Sequence, residues 1–386
     1  MTPSTSMPGP MNDSHEIAAD ALSLEMEADS AVMLVDIREA LERLAGHIEP
    51  SFHIPTDNLT DGVRSEFPDN RTSLVLYCAR GIRSREVART LHNEGYSRVR
   101  FLAGGIEAWY AAGHPTQSDS ATRGREWAPR YARQLRIPEV GPVGQKKLLD
   151  ASILILGAGG LGAPAAYYLT AAGVGTLGLV DSDRVDESNL HRQILYRTSD
   201  VGTPKVFTAQ ATLQALNPDV RIVPFHERFT RDNAERIARD FDVILDGTDN
   251  FAARYLVNDI CIKLNKPNVH GSIHRFEGQV AVFCHGDGPC YRCLYPEPPP
   301  AGWVPSCAES GVLGLLPGVI GSLQASEVVK LILGIGEILS GRLLRFDALR
   351  ATFDSFTVAR RPECDWCDPD TPFPGLVDYQ ELCGDA

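Results

Sequence analysis

The 386-residue chain has no excess of basic charge: 37 Lys and Arg stand against 50 Asp and Glu, a formal net charge of -13. Without a basic stripe to displace counterions from phosphates, no nucleic-acid partner is expected. Long uninterrupted apolar runs are also missing. The best candidate, residues 311–336, is broken by Pro317, Gln324, Glu327 and Lys330, so the chain reads as soluble and free of membrane. Residues 1–14 lack the basic and apolar segments of a secretory signal and read as a disordered tail. The nine cysteines are odd in number, which suits thiols and metal sites in a reducing cytoplasm better than a disulfide framework. No internal repeat is visible.

Apolar periodicity stops once, across residues 113–126 (GHPTQSDSATRGRE). The expected layout is a tail over 1–14, a small α/β unit over 15–116, a linker over 117–126 and a larger unit over 127–386.

In the larger unit, the apolar run 152–156 reads as a buried parallel strand that ends in Gly157, Gly159, Gly160 and Gly162. A helix over 163–172 would point its N-terminal amides at an anion. A strand over 177–180 delivers Asp181, placed to accept hydrogen bonds from ribose hydroxyls. Taken alone, this pattern serves an NAD-dependent oxidoreductase equally well. The next residues favour ATP. Ser188, Asn189, Leu190, His191, Arg192 and Gln193, followed by Lys205, bring cations near the glycine turn, and phosphoryl transfer needs them where hydride transfer does not. A third strand, 243–245, runs into Asp246-Gly-Thr-Asp249-Asn250, where an aspartate can hold a magnesium ion that bridges phosphates. The bland alternative makes Arg192 and Lys205 solvated charges and Asp249 a helix cap.

Two C-x-x-C pairs, Cys290/Cys293 and Cys364/Cys367, match a tetrahedral structural zinc site that staples remote segments; redox dithiols are the alternative. In the small unit, strands over 31–35 and 73–77 and a helix over 84–94 frame Cys78-Ala-Arg80-Gly81-Ile-Arg83-Ser84. A cysteine at a strand end, facing a helix N-terminus between two arginines, should be a low-pKa nucleophile. Arg83 stands one residue closer to the thiol than in tyrosine phosphatases. The loop therefore suits a persulfide sulfur rather than a phosphoryl group.

Asp36-Ile-Arg38-Glu39, Gly46-His47-Ile48, the Cys78 loop, Gly104-Gly105-Ile106 and Trp109 together resemble the rhodanese family. Residues 127–386 resemble the MoeB/ThiF-type adenylyltransferases of the ubiquitin-activating superfamily, through Arg130-Tyr-Ala-Arg133-Gln134, the glycine turn, SNLHRQ, TDN, GSIHRFEGQ, CYRC and SCAESGVLG. The resemblance implies an α/β chain: a Rossmann-like nucleotide-binding domain with a mixed sheet and a structural zinc site, preceded by a small rhodanese-like α/β domain. It implies that Gly157, Gly159, Gly160, Asp181, Ser188, Asn189, Leu190, His191, Arg192, Lys205, Asp249 and Asn250 meet ATP and magnesium. Arg133 would reach a neighbouring subunit's site, which implies a homodimer. Cys290, Cys293, Cys364 and Cys367 would bind zinc, and Cys307 would form a thioester or assist sulfur transfer. The implied reaction adenylylates the terminal glycine of a ubiquitin-like sulfur carrier ending in Gly-Gly; a Cys78 persulfide, loaded by a donor such as a cysteine desulfurase, then yields a thiocarboxylate. The small subunit of molybdopterin synthase is the expected carrier, with thiamine and tRNA thiolation using the same chemistry. Here the rhodanese-like segment comes first, the reverse of the order familiar in such fusions. Cys261, Cys284 and Cys383 match no motif, and the first two are assigned to core packing.

Overall fold

The structure, a computed structural model, describes residues 15–28, 32–39, 42–43, 46–55, 59–117, 128–299, 311–377 and 379. The expected tail, nearly all of the expected linker, Cys307 and Cys383 lie outside these residues. Two compact units divide the chain, Met1–Pro142 and Val143–Ala386.

The first unit is built on a parallel sheet of β1 (Glu16–Ile17), β2 (Met33–Asp36), β3 (Phe52–His53), β4 (Leu74–Tyr77) and β5 (Val99–Leu102), in the order β1-β5-β4-β2-β3. Its central strand β4 is apolar throughout because both faces are covered. Val75 and Tyr77 pack with Leu22, Ile48 and Trp109 on one side, while Leu74, Leu76 and Cys78 pack with Val63 and Leu91 on the other. Period-two alternation thus sends Cys78 into a core layer at the carboxyl end of β4, immediately before helix α1 (Ile82–Asn93). Helix α2 (Gly105–Ala111) follows β5.

The second unit carries an eight-stranded mixed sheet. Its strands are β6 (Ser152–Leu156), β7 (Thr176–Val180), β8 (Arg221–Phe225), β9 (Val243–Asp246), β10 (Asn268–His274), β11 (Glu277–Phe283), β12 (Arg342–Asp347) and β13 (Thr352–Thr357). They stand in the order β13-β12-β11-β10-β9-β6-β7-β8. The half from β8 to β10 is parallel and the half from β10 to β13 antiparallel. Burial of Ile153, Leu154, Ile155 and Leu156 in β6 contributes about 2 kcal/mol per side chain before conformational entropy is charged. Helices α3 (Gly162–Ala172), α4 (Lys205–Leu216), α5 (Phe251–Leu264) and α6 (Leu316–Leu333) complete the layers.

Helix α6 corrects the expectation that no apolar segment is long enough for a bilayer: its 18 residues pass by length and composition. The interruptions that suggested otherwise serve the fold. Gln324 is fully buried and donates to the carbonyl oxygens of Asp246 (2.7 Å) and Val269 (3.0 Å), while Glu327 accepts from the Leu339 amide (2.8 Å). The helix packs against α3, β10 and β11, and a Cβ on Gly321 would stand 2.4 Å from the Leu161 carbonyl oxygen.

Candidate active sites

A cavity of about 410 Å³ opens at the carboxyl ends of β6, β7 and β9, where the strand order reverses. Two turns cross beneath it. Gly157 has φ +89°, and a Cβ there would meet the Gly247 carbonyl oxygen at 2.9 Å; one on Gly162 would meet the Gly157 oxygen at 1.9 Å. Only glycine lets the two backbones pass.

Asp181, at the end of β7, accepts from the amides of Ala158 (2.9 Å) and Asp183 (2.8 Å). Burial pushes its carboxyl above the usual range, outweighing the nearby Lys205 charge and these amides. Lys205 opens α4 and is 4% exposed, with Nζ 2.7 Å from Asp183 and 3.8 Å from Asp181. That excludes the solvated reading for Lys205. Arg192 lies on the cavity wall, held through Nη2 to Asn189 Oδ1 (2.6 Å) and Nη1 to His191 Nε2 (2.8 Å). Ser188, through its amide and hydroxyl, is tied to Asp186. Gly157, Gly159, Gly160, Asp181, Arg192, Lys205, Asp249 and Asn250 line the cavity; Ser188, Asn189, Leu190 and His191 stand outside the lining. Asn189 and His191 act as the brace that aims Arg192.

The capping role considered for Asp249 belongs to Asn250, whose Oδ1 accepts from the Ala253 amide (2.8 Å) at the start of α5. Asp249 stays on the cavity wall. Behind this loop, Asp246 is fully buried and accepts from the Thr248 amide (3.0 Å), the Thr248 hydroxyl (2.6 Å) and His270 Nδ1 (2.8 Å). Burial alone would raise Asp246, yet the His270 and Thr248 bonds and the Arg254 charge hold it below the usual range. Burial keeps His270 neutral against the pull of Asp246. The pair is a carboxylate and a neutral imidazole that fix the shape of the Asp249 loop.

Sequence reasoning missed part of the wall: Asp183, Arg228, Arg231, Thr248 and Arg254 also line it. Arg228 and Arg231 follow β8, at the same carboxyl edge of the sheet as the glycine turn. That position was the available signal. Gln193 Oε1 and Arg254 Nε are buried without a protein partner and belong to lining residues, as expected of groups that meet a polar ligand. Arg133 is exposed and lies in the first compact unit.

In that unit Cys78 is 2% exposed. Burial pushes its thiol up, but the Ser84 hydroxyl (3.5 Å) and the amides of Ser84, Arg80 and Gly81 overcome this and hold it below the usual value. The expected direction holds, and the helix N-terminus expected to lower the thiol is a source of these amides, ahead of the arginine charges. Arg80 is exposed, and Arg83 makes three contacts of 2.7–3.0 Å to the Glu42 carboxylate. Gly104-Gly105-Ile106 clamps the base of the loop: Ile106 N donates to Cys78 O (2.9 Å), and a Cβ on Gly105 would strike that oxygen at 2.3 Å.

A family model described as the ThiF family matches residues 131–366, and one described as a rhodanese-like domain matches residues 18–112. The chain belongs to the ThiF family. It is an adenylyltransferase carrying a rhodanese-like sulfurtransferase domain at its N-terminal side. A sulfur carrier protein adenylyltransferase of Thermus thermophilus is 54% identical over 265 residues, covering 67% of this chain and 98% of that one. A probable adenylyltransferase/sulfurtransferase MoeZ of Mycobacterium tuberculosis is 49% identical, covering 70% and 68%. The SAMP-activating enzyme E1 of Haloferax volcanii is 48% identical, covering 66% and 94%. Crystal structures of E. coli MccB share the fold at 22% identity, with a TM-score of 0.56 over 62% of this chain and 75% of that one.

The ThiF domain gathers Cys290, Cys293, Cys364 and Cys367 with all sulfurs within 4.8 Å of one another. Three Sγ separations are 3.5, 3.8 and 3.9 Å. Zinc–sulfur bonds of about 2.3 Å in a tetrahedron place sulfurs about 3.8 Å apart, so the four thiols fit zinc in a closed, structural site. Between the ligands, Arg292 lies 3.9 Å from the Trp366 ring centroid, 3.2 Å from Asp259 Oδ1 and against the Tyr379 hydroxyl, which also bonds Asp259. Tyr379 and Val377 line the cavity, so the four-cysteine cluster is tied to its wall. Cys261 sits in the hydrophobic core and Cys284 packs against it, as expected of unassigned cysteines.

Proposed function

We propose that the ThiF domain binds ATP in the β6–β9 cavity and adenylylates the C-terminal glycine of a ubiquitin-like sulfur carrier, and that Cys78 supplies the sulfur. The names of the Thermus and Haloferax relatives support a small carrier protein as substrate. The observation that carries the reading is the convergence of Asp181, Arg192, Lys205 and Asp249 on one cavity beside a glycine turn. Asp181 meets the ribose hydroxyls. The carrier's terminal carboxylate oxygen bonds to the α-phosphorus, the bond to the β-phosphate oxygen breaks, and pyrophosphate leaves. Arg192 and Lys205 offset the charge that develops, joined by Arg133 from a second copy of the chain in a homodimer. Asp249 would hold magnesium, which neutralises phosphate charge when bound.

The terminal sulfur of a Cys78 persulfide then attacks the acyl carbon and AMP departs, leaving an acyl disulfide. A second thiol cleaves that disulfide and releases the thiocarboxylate; Cys307 has the resemblance to serve. The carriers of molybdenum cofactor synthesis, thiamine synthesis and tRNA thiolation all offer the required Gly-Gly end, the first being the preferred candidate. Carrier-dependent exchange of labelled pyrophosphate into ATP tests the first half across such carriers. Exchange is expected with the native chain and with Cys78→Ala, and none with Asp249→Ala. Thiocarboxylate formation is expected to vanish in Cys78→Ala. Exchange that survives Asp249→Ala would overturn the site assignment.

A further inference from the structure

The Cys78 cradle contains an ion pair that sulfur transfer itself does not require. Arg83, the second cation of the loop, is clasped by Glu42 through Nη1–Oε2 (3.0 Å), Nη2–Oε1 (2.7 Å) and Nη2–Oε2 (3.0 Å). The pair is only partly exposed, 37% for the Arg83 side chain and 26% for Glu42. Cys78 and then Glu39 add further negative potential at Arg83. The adjacent cations are also committed: Arg38 bonds Asp36, and Arg43 bonds Asp36 and Ser51. Only Arg80, exposed at the loop, has no acidic partner shown among the described residues. The Cys78 sulfur is met by short-range donors, the Ser84 hydroxyl and the amides of Arg80, Gly81 and Ser84, while Arg83, which also feels the Cys78 charge, is shared with Glu42.

We propose that Glu42 is a specificity-determining residue: by occupying Arg83 it closes the Cys78 cradle to dianionic sulfur donors of the thiosulfate type and leaves it open to organic persulfides, which carry at most one negative charge and react through their protonated form. The inference rests on the reading of Cys78 as the persulfide carrier and adds the class of donor that loads it.

The charge balance of the two loading reactions differs. With an organic persulfide, Cys78 Sγ bonds to the terminal sulfur of R–S–SH, the S–S bond breaks, and R–S leaves with the electron pair and takes the terminal proton as R–SH. One negative charge enters the step and one leaves on the new persulfide. With thiosulfate, Sγ bonds to the sulfane sulfur and sulfite leaves with the electron pair, so three negative charges crowd one cradle throughout. A planar guanidinium is the side chain best suited to meet such an oxyanion in a bidentate manner, and here a carboxylate already holds that position. Glu42 must be displaced, or must stay and repel the sulfonate oxygens.

The test uses the full chain and follows Cys78 persulfidation by intact mass, independently of any adenylylation. Two probes are compared, thiosulfate and the organic persulfide of 2-mercaptoethanol. The native chain is expected to load from the organic persulfide and slowly from thiosulfate. Glu42→Gln is expected to speed thiosulfate loading by roughly tenfold or more, the scale of one charge-assisted hydrogen-bond pair, with persulfide loading unchanged. Glu42→Asp keeps the charge and is expected to keep thiosulfate excluded, so the pair of variants stays informative should one of them fold poorly. Thiosulfate loading that is unchanged in Glu42→Gln, or persulfide loading that rises equally, overturns the Glu42 assignment alone. Absence of Cys78 loading from either probe in the native chain overturns the persulfide-carrier reading beneath it.

Discussion

A single buried sulfur in the rhodanese-like unit is held by a few contiguous residues, Arg80 to Ser84, clamped from below by Gly105 and Ile106. The cavity of the ThiF domain instead draws its wall from Gly157, Asp181, Lys205, Asp249 and Tyr379, segments delivered by separate strands and helices. A small anion can be satisfied by the amides of one turn, because those donors already converge. A polyphosphate with a sugar and a base needs cations, acids and open space spread over many ångströms, which no single loop supplies. The difference also explains where each site is vulnerable. The cradle depends on local geometry, while the cavity depends on the elements that hold distant strands in register.

The largest test of that dependence is the four-cysteine cluster. Where it holds zinc, a strong chelator, or replacing Cys364 with Ser, should remove on the order of 10 kcal/mol of stabilisation from the ThiF domain. Calorimetry should show its transition lost or sharply lowered together with ATP binding, while Cys78 alkylation persists. Next in size is the buried pair behind the Asp249 loop. His270→Leu removes one of the hydrogen bonds to the fully buried Asp246 carboxylate, leaving those from Thr248, and should cost about 1.5–3 kcal/mol in urea unfolding. The same pair predicts a pH dependence. His270 is held below its ordinary value, so as pH falls the unfolded chain takes up the proton first and native stability declines below about pH 6.5. The low value of Asp246 acts in the same direction further into acid. His270→Leu should lack the first of these two declines.

Smaller and more local, Lys205→Met should reduce pyrophosphate exchange by about a hundredfold, the usual loss for one preorganised charge at a phosphoryl group. Cys78 persulfidation should be unaffected, and equal losses in both assays would break the division between the sites. Smallest is Ser84→Ala, which removes one donor to the Cys78 sulfur. Its thiol should rise toward the ordinary value, and alkylation by iodoacetamide at neutral pH should slow by less than about tenfold.

The cradle was readable as a string because its parts are neighbours in the chain: Cys78 closes an apolar run, and Gly81 (φ +79°) begins a helix. Even so, the string suggested that Arg83 activates the thiol, since nothing in residues 78–84 reveals that Glu42 takes its guanidinium. In the ThiF domain, the glycine turn, Lys205 and Asp249 were visible as motifs. The roles within SNLHR were less so: all of it was expected at the ligand, whereas Ser188 turns back to Asp186 and Asn189 braces Arg192. Arg228, Arg231 and Arg254 escaped notice because single charges in loops and first helical turns carry no period.

Chain order and residue type were enough for two α/β units, a cysteine at a strand end before a helix, a glycine turn that lines a cavity and four thiols suited to one metal, since each follows from local spacing and side-chain chemistry. Folding alone settled which charges face ligand and which are spent on one another. Asp246 meets His270, Glu42 meets Arg83, and Tyr379 reaches the cavity wall from beyond the four-cysteine cluster. Coulomb and hydrogen-bond energies depend on distances of a few ångströms, and residues far apart in the chain acquire such distances only when sheets and helices pack.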